Sequence, residues 1–193
     1  MSLSPPAPRQ HLHTRAVTFQ GFRREDGLWD IEGHLRDTKP IVWHSKDKGD
    51  LPPGSPVHDM WIRVTMDDQL VVRAIEATMD STPFGECLQA EDPMQRVVGL
   101  TMGPGWRFAI DKALGGIQGC THLRELLFNM ATAAYQTIWP WREHERLRQG
   151  LPRPENGAPP PHLGQCITWA WDSPVTQRME PLHYRAAGTP AVK

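Results

Sequence analysis

Residues 115–139 read GGIQGCTHLRELLFNMATAAYQTIW and set the architecture of the second half of the chain. Their apolar residues recur at steps of three and four, which is typical of a helix with one buried stripe. The stripe comprises Leu123, Leu126, Leu127, Met130, Ala131, Ala134, Tyr135 and Ile138. Glycines precede this helix, and Pro140 predicts its end, or a break before a charged continuation over 141–149.

Cys120 and His122 lie in the first turn of this predicted helix. Backbone N–H groups without a partner make that end of a helix positive, so a thiol there ionises more readily to the form that attacks electrophiles or binds metal. Cys120 and His122 are therefore candidates for catalysis or for metal ligation. The alternative is structural: Cys120 shares a face with Leu123 and Leu127, and His122 is a surface or capping residue.

Upstream of the helix, the pattern predicts an antiparallel sheet. Residues 16–39 form two predicted strands around an Asp-Gly turn, and residues 57–83 form a second hairpin with its turn at Asp67 and Asp68. A polar loop, 44–56, separates the hairpins, and two short helical segments follow Cys87. Because strands come first and helices second, we expect an α+β domain with helices packed on one face of the sheet.

The distribution of proline divides the chain into four parts. We predict a disordered N-terminus over 1–10 and a single α+β domain over 11–150. A Pro-rich loop follows over 151–164. Residues 165–193 are predicted to be a C-terminal hairpin and tail that pack on the domain, with the turn at Asp172-Ser173-Pro174.

Composition excludes several classes of protein. The 193 residues carry 21 Lys+Arg and 22 Asp+Glu, and the net charge of −1 is unlike that of a nucleic-acid-binding domain. Neither a membrane-spanning apolar run nor the apolar stretch of a signal peptide occurs, so we expect a cytoplasmic protein whose partner is a small molecule. Three widely spaced cysteines favour free thiols or metal ligands over disulfides. The oligomeric state is left open.

Residues that suit a metal fall at the junctions of the predicted elements. His58 and Asp59 open a strand, Cys87 lies in a loop, and Cys120 and His122 start the long helix. Thiolate, imidazole and carboxylate are the ligands that zinc and iron prefer. The sequence therefore predicts a zinc or iron site of Asp59, Cys87 and Cys120, with His122 or His58 as a further ligand. Each residue also has a structural alternative, because Asp59 can satisfy backbone donors and His58 can face solvent.

Two other groups of residues receive a structural interpretation. Cys166 is predicted to lie in a strand of the C-terminal hairpin. The acidic group around the first turn is interpreted as a turn and a solvated strand face, and an acidic catalytic cluster is the alternative. This group comprises Asp26, Asp30, Glu32, His34 and Asp37.

The order of features over 58–138 resembles the iron–sulfur cluster assembly scaffold fold of the IscU/NifU type. The resemblance is carried by HDMWIRVTMDD, FGEC and GCTHLRELL. It implies an IscU/NifU-like core extended by an N-terminal hairpin and a C-terminal tail. It also implies that Asp59, Cys87 and Cys120 match the aspartate and two of the cysteines of that family. This chain departs from the pattern where Val57 and His58 replace the first cysteine, and where Gly119 replaces the family histidine.

Over its whole length, the chain resembles an uncharacterised bacterial family, a domain of unknown function associated with genes for the breakdown of aromatic compounds. The shared stretches are RREDGLWDIEGHLRDTK, GSPVHDMWIRVT and GCTHLRELLFNMATAAYQT. The resemblance implies an aromatic acid or a related catabolic intermediate as the substrate class.

Three hypotheses for function follow. The first is a zinc- or iron-binding protein that acts as a metalloenzyme on a small aromatic molecule. The second is a non-enzymatic carrier similar to the iron–sulfur scaffolds. The third is a metal-free interaction module. The sequence contains no phosphate-binding loop, no dinucleotide-binding fingerprint and no serine-hydrolase elbow, and whether the protein is an enzyme stays open.

Overall fold

The computed structural model describes residues 3–152 and 157–186. Four long strands form one antiparallel sheet. In order across the sheet, they are β1 (Thr14–Arg23), β2 (Trp29–Thr38), β5 (Pro56–Met66) and β6 (Val72–Ser81). Between β2 and β5, β3 (Trp43–Ser45) and β4 (Gly49–Leu51) pair with each other, so the loop predicted for 44–56 is wrong in part. The α+β class and both predicted hairpins are confirmed.

One face of β2, β5 and β6 is buried and carries the core, whereas β1 is exposed apart from the half-buried Phe19. Along β2, every second residue from Trp29 is buried, and this alternation ends at Asp37. Arg15 pairs with Asp37 in the β1–β2 ladder, and Asp37 pairs with His58 in the β2–β5 ladder. Because directly paired residues point to the same face, Arg15, Asp37 and His58 lie side by side at one end of the buried face.

Strand β6 departs from strict alternation. A period of two would place Leu70, Val72, Ala74 and Glu76 on one face, but the buried residues are Val72, Ile75 and Met79. The pairing with β5 shifts register between Thr65 and Met66. An extra residue in a strand reverses the alternation beyond it, and this irregularity moves Ala74 and Glu76 to the exposed face.

The helices follow the sheet. Two 3₁₀ helices, Gly85–Ala90 and Asp92–Val97, lead into α1 (Trp106–Leu114), and a further 3₁₀ turn, Gly116–Gln118, precedes α2 (Thr121–Arg148). Helix α2 contributes six buried residues, which belong to the predicted stripe: Leu123, Leu126, Leu127, Met130, Ala134 and Ile138. They pack with the buried side chains of the sheet in one core cluster.

Close contact between α2 and β1 depends on one glycine. A Cβ atom placed on Gly21 would lie 1.9 Å from Oγ1 of Thr137, closer than any real contact. Helix α2 therefore lies directly against β1, and its first turn reaches the end of the sheet where Arg15, Asp37 and His58 are found.

The end or break predicted at Pro140 is wrong, because α2 continues through this residue to Arg148. Proline removes one backbone hydrogen bond, to the carbonyl four residues earlier, which belongs to Gln136. Both residues are exposed, so water is available to that carbonyl and the helix continues. No helix within the described residues is long and apolar enough to cross a lipid bilayer.

The chain divides into two compact units between Glu145 and Arg146. In the second unit, the hairpin predicted for 165–193 is wrong for the described residues up to 186, which form turns, α3 (Pro174–Met179) and a 3₁₀ turn, Pro181–His183. The reason is local. The Ser173 side chain accepts a hydrogen bond from the Thr176 backbone N–H, and Pro174 occupies the first helical turn, so a helix cap forms where a hairpin turn was predicted.

Parts of two predicted segments lie outside the described residues: 153–156 of the Pro-rich loop and 187–193 of the C-terminal tail. The same holds for residues 1–2 of the N-terminus. Residues 3–13 have no regular secondary structure and are exposed.

Candidate metal site at the start of the long helix

Asp37, His58 and His122 form a group that could hold a metal ion. Each offers one ligand atom, and these three atoms lie within 4.8 Å of one another. Asp37 lies near the end of β2, His58 near the start of β5, and His122 in the first turn of α2. In the part of the chain that the structure describes, no other such group of three is present.

The carboxylate of Asp37 is buried and surrounded by nitrogen atoms. Its side chain is 2% exposed. Arg15 donates from Nε to Oδ1 and from Nη2 to Oδ2, both at 2.8 Å. Nδ1 of His58 lies 2.9 Å from Oδ2, and Nε2 of His13 lies 3.2 Å from Oδ1. Burial alone would raise the pKa of Asp37, but the hydrogen bonds from Arg15 and His58 outweigh it and hold the pKa below its usual value. Asp37 is therefore charged at neutral pH.

The two histidines of the group face each other. The ring centroids of His58 and His122 are 4.1 Å apart, with an angle of 38° between the ring planes. Burial lowers the pKa of His58, although Asp37 acts in the opposite direction. Burial also lowers the pKa of His122, and the positive charge of Arg15, or of His58 when that ring is protonated, acts in the same direction. Both rings are therefore neutral at pH 7, which is the form that binds metal.

Cys120 lies beside the group. Its Sγ is 3.8 Å from Nδ1 of His122, and the residue is half-buried and packs against the core. Cys120, which immediately precedes α2, is thus in contact with His122 of its first turn, as their positions in the sequence suggested. The thiol does not belong to the group of three ligand atoms.

Asp59 points away from this site. It follows His58 in β5, and successive side chains of a strand point to opposite faces. On the outer face, an oxygen of Asp59 lies 2.6 Å from Nε2 of His34, and the other lies 3.4 Å from Nε of Arg36. The ring of His34 stacks on Trp61 at 3.8 Å. The side chains of Asp59 and His58 therefore lie on opposite faces of the sheet and cannot bind the same metal ion.

The remaining cysteines also lie elsewhere. Cys87 is in the 3₁₀ helix Gly85–Ala90 and packs against the core, and Cys166 is exposed in the second unit. Neither belongs to a group of three possible ligands among the described residues. Of the predicted residues, the structure brings together His58, His122 and Cys120.

Asp37 was not among the residues predicted to bind a metal. It was assigned to a solvated strand face, and this interpretation is wrong because the residue is 1% exposed. The alternation of β2 indicated that Asp37 is buried, since Asp37 lies on the same face of the strand as the buried Ile31 and Leu35. An acidic residue on an apolar face needs a partner, and this requirement could have indicated a cationic or metal environment.

Together these features define an α+β domain with a cluster of one buried carboxylate and two half-buried imidazoles between its sheet and its longest helix. Residues 13–136 match the model of a protein family of unknown function, DUF2889, and the chain belongs to that family. The matched region contains all residues of the cluster. No curated protein and no solved structure showed significant similarity to the chain. The resemblance to the IscU/NifU fold is accordingly not confirmed.

Proposed function

We propose that this chain binds one divalent metal ion through Asp37, His58 and His122 and uses it on a small organic molecule. The observation that supports this most directly is the convergence of three ligand atoms, from β2, β5 and α2, within 4.8 Å. Ligands at about 2.0–2.2 Å from a metal lie no more than about 4.4 Å apart, so the separation of these three atoms is close to that of a coordinated set.

The donor set favours zinc or iron. Two imidazoles and one carboxylate are typical of catalytic zinc sites and of mononuclear iron(II) sites, and in both cases they leave coordination positions open. A metal with an open position polarises a carbonyl or activates water. In this proposal, the contact between Cys120 and Nδ1 of His122 holds the imidazole so that Nε2 binds the metal.

Access to solvent supports an enzyme rather than a purely structural site. The side chain of His13 is 43% exposed and that of Arg15 is 35% exposed, and both contact Asp37. The cluster is therefore bordered by groups that reach solvent. Aromatic catabolic intermediates, which the family resemblance implies, are the first substrates to screen.

A role as an iron–sulfur carrier has less support. Cluster retention usually requires a set of thiolates, and among the described residues Cys120 is the one cysteine that is found in contact with a proposed ligand. If the test below finds no bound metal, the result favours the third hypothesis, a metal-free interaction module.

The test is elemental analysis of the full chain, purified without a metal-binding tag and under anaerobic conditions. We expect roughly one zinc or iron per chain in the wild type and its loss in His58→Ala and Asp37→Asn. His34→Ala is the matched control, since His34 also pairs with an aspartate on the same sheet but on the outer face. It should keep the metal.

Two results would contradict the proposal. One is the absence of metal from the wild type even after incubation with zinc or iron(II), with no change in melting temperature. The other is a metal that stays bound in His58→Ala. A brown protein whose visible absorbance is bleached by a reductant would favour the carrier hypothesis instead.

A further inference from the structure

Arg15 forms two hydrogen bonds to the Asp37 carboxylate, which the metal would need as a ligand. A carboxylate has about four lone-pair positions on its two oxygens. At Asp37, four nitrogen atoms already lie within 3.2 Å of those oxygens: two from Arg15, one from His58 and one from His13. A metal ion that coordinates Asp37 therefore has to displace at least one of these nitrogens, and it does so next to a permanent positive charge.

The charges around the loaded site do not balance. A divalent ion and Arg15 bring three positive charges. Arg15 contacts two acidic groups, Asp37 and Glu125, and these bring only two negative charges. The ligating histidines are neutral. Glu125 compensates weakly, because its side chain is 50% exposed and its Oε2 is 3.2 Å from Nη1 of Arg15. The loaded cluster thus has an excess of positive charge.

We propose that Arg15 couples metal binding to the binding of a small anionic ligand, of which a carboxylate is the simplest form. This inference rests on the metal site proposed above. Without an anion, the guanidinium opposes the metal. An anion that contacts both the metal and the guanidinium removes this repulsion, and the planar fork of arginine matches the two oxygens of a carboxylate. By linkage, the anion then strengthens metal binding by the factor by which the metal strengthens anion binding.

The experiment titrates the metal-free full chain with Co²⁺, followed by its visible absorption, at constant ionic strength. Each titration is done without added ligand, with acetate, or with acetamide. Acetamide is neutral and has nearly the same shape as acetate. In the wild type, we expect acetate to lower the Kd for Co²⁺ about tenfold and acetamide to leave it unchanged. In Arg15→Gln, Co²⁺ alone should bind about tenfold more tightly, and the effect of acetate should disappear.

Two further variants serve as controls. Arg36→Gln removes an arginine that lies beside an aspartate on the outer face, 3.4 Å from Asp59, and should behave as the wild type. Arg15→Lys keeps the charge without the fork and should keep part of the acetate effect. If Arg15→Gln fails to fold, the comparison of acetate with acetamide in the wild type and in Arg15→Lys decides the question.

The inference is overturned if acetate and acetamide act alike in the wild type, or if Arg15→Gln keeps the full acetate effect. In both cases, if Co²⁺ still binds, the proposal of a metal site stands and only the proposed role of Arg15 is refuted. A wild type that binds no Co²⁺ under any of these conditions contradicts the metal site, and the two failures are therefore distinguishable.

Discussion

At the scale of single residues, Asp37 is the most constrained charge in the described part of the site. A buried carboxylate is stable only when hydrogen bonds and an opposite charge replace the water that it loses. Arg15 provides both with two parallel hydrogen bonds, and His58 adds a third. The same contacts that make Asp37 tolerable in the fold also orient it toward His122.

Removal of the Asp37 carboxylate should therefore destabilise the fold. We expect Asp37→Ala to lower the free energy of unfolding by about 2 kcal/mol, less than for a fully enclosed pair because Arg15 is partly exposed. Urea denaturation of the metal-free protein measures the change. Glu76→Gln, at an exposed ion pair with Arg63, is the control and should stay within about 0.5 kcal/mol of the wild type. Equal stability of the two variants would show that the buried pair makes no net contribution.

At the scale of elements, the site depends on how closely α2 lies against β1. Any side chain at position 21 would collide with Thr137, including its Cβ at 2.6 Å. Gly33, on β2, has more room, since the nearest atoms to a Cβ there would be the ring edge of Phe19 at 3.1 Å and Sδ of Met130 at 3.5 Å. A larger residue is therefore more easily accommodated at position 33 than at position 21.

Gly21→Ala should destabilise the protein by about 2–3 kcal/mol, because α2 has to move away from β1. Gly33→Ala should cost less, since an aromatic ring edge and a flexible methionine can shift. The midpoints of chemical denaturation report both changes. If Gly33→Ala proves the more damaging of the two, the close packing of α2 on β1 is not the constraint that we describe.

A second connection links α2 to the turn between β5 and β6. Asp68 accepts a hydrogen bond from Nε1 of Trp29 at 2.9 Å, and Nη2 of Arg142 contacts its backbone carbonyl. The hydrogen bond from Trp29, together with those from Arg142, holds the pKa of Asp68 below its usual value, although partial burial acts in the opposite direction.

This shift predicts a dependence of stability on pH. A carboxyl group whose pKa is lowered by folding stabilises the folded state above its unfolded pKa of about 3.9, and this contribution is lost as the pH falls through the folded pKa. The wild type should thus melt at a higher temperature than Asp68→Asn at pH 7, and the difference should shrink as the pH falls to about 3. A difference that stays constant between these values would argue against a charged role for Asp68.

At the scale of the whole molecule, metal binding and folding are linked. The proposed ligands come from β2, β5 and α2, so an unfolded chain cannot present them together. Zinc at 100 times its Kd should raise the free energy of unfolding by about 2.7 kcal/mol, and a chelator should reverse the increase. Thermal melts of the wild type, His34→Ala and His122→Ala test this. His122→Ala should lose the response, and a response that persists there would exclude His122 as a ligand.

Much of the fold was predictable because its patterns are local. Alternating apolar residues in β2 and β5 and the stripe from Leu123 to Ile138 each repeat with the period of their own element. The errors came from features whose outcome depends on surroundings. Pro140 was expected to end α2, yet its exposed position lets the helix continue, and Ser173 was placed in a hairpin turn although it caps a helix.

Short-range periodicity and capping were enough to predict the α+β class, the two hairpins, the long helix and the proximity of Cys120 to His122. Which residues share the site depends instead on long-range packing. Strand register places Arg15, Asp37 and His58 in one row, and the packing of α2 on that face brings His122 to them. Asp59 was separated from His58 for a simple physical reason. Neighbouring side chains of a strand point to opposite faces, and which face is buried depends on contacts between residues far apart in the chain.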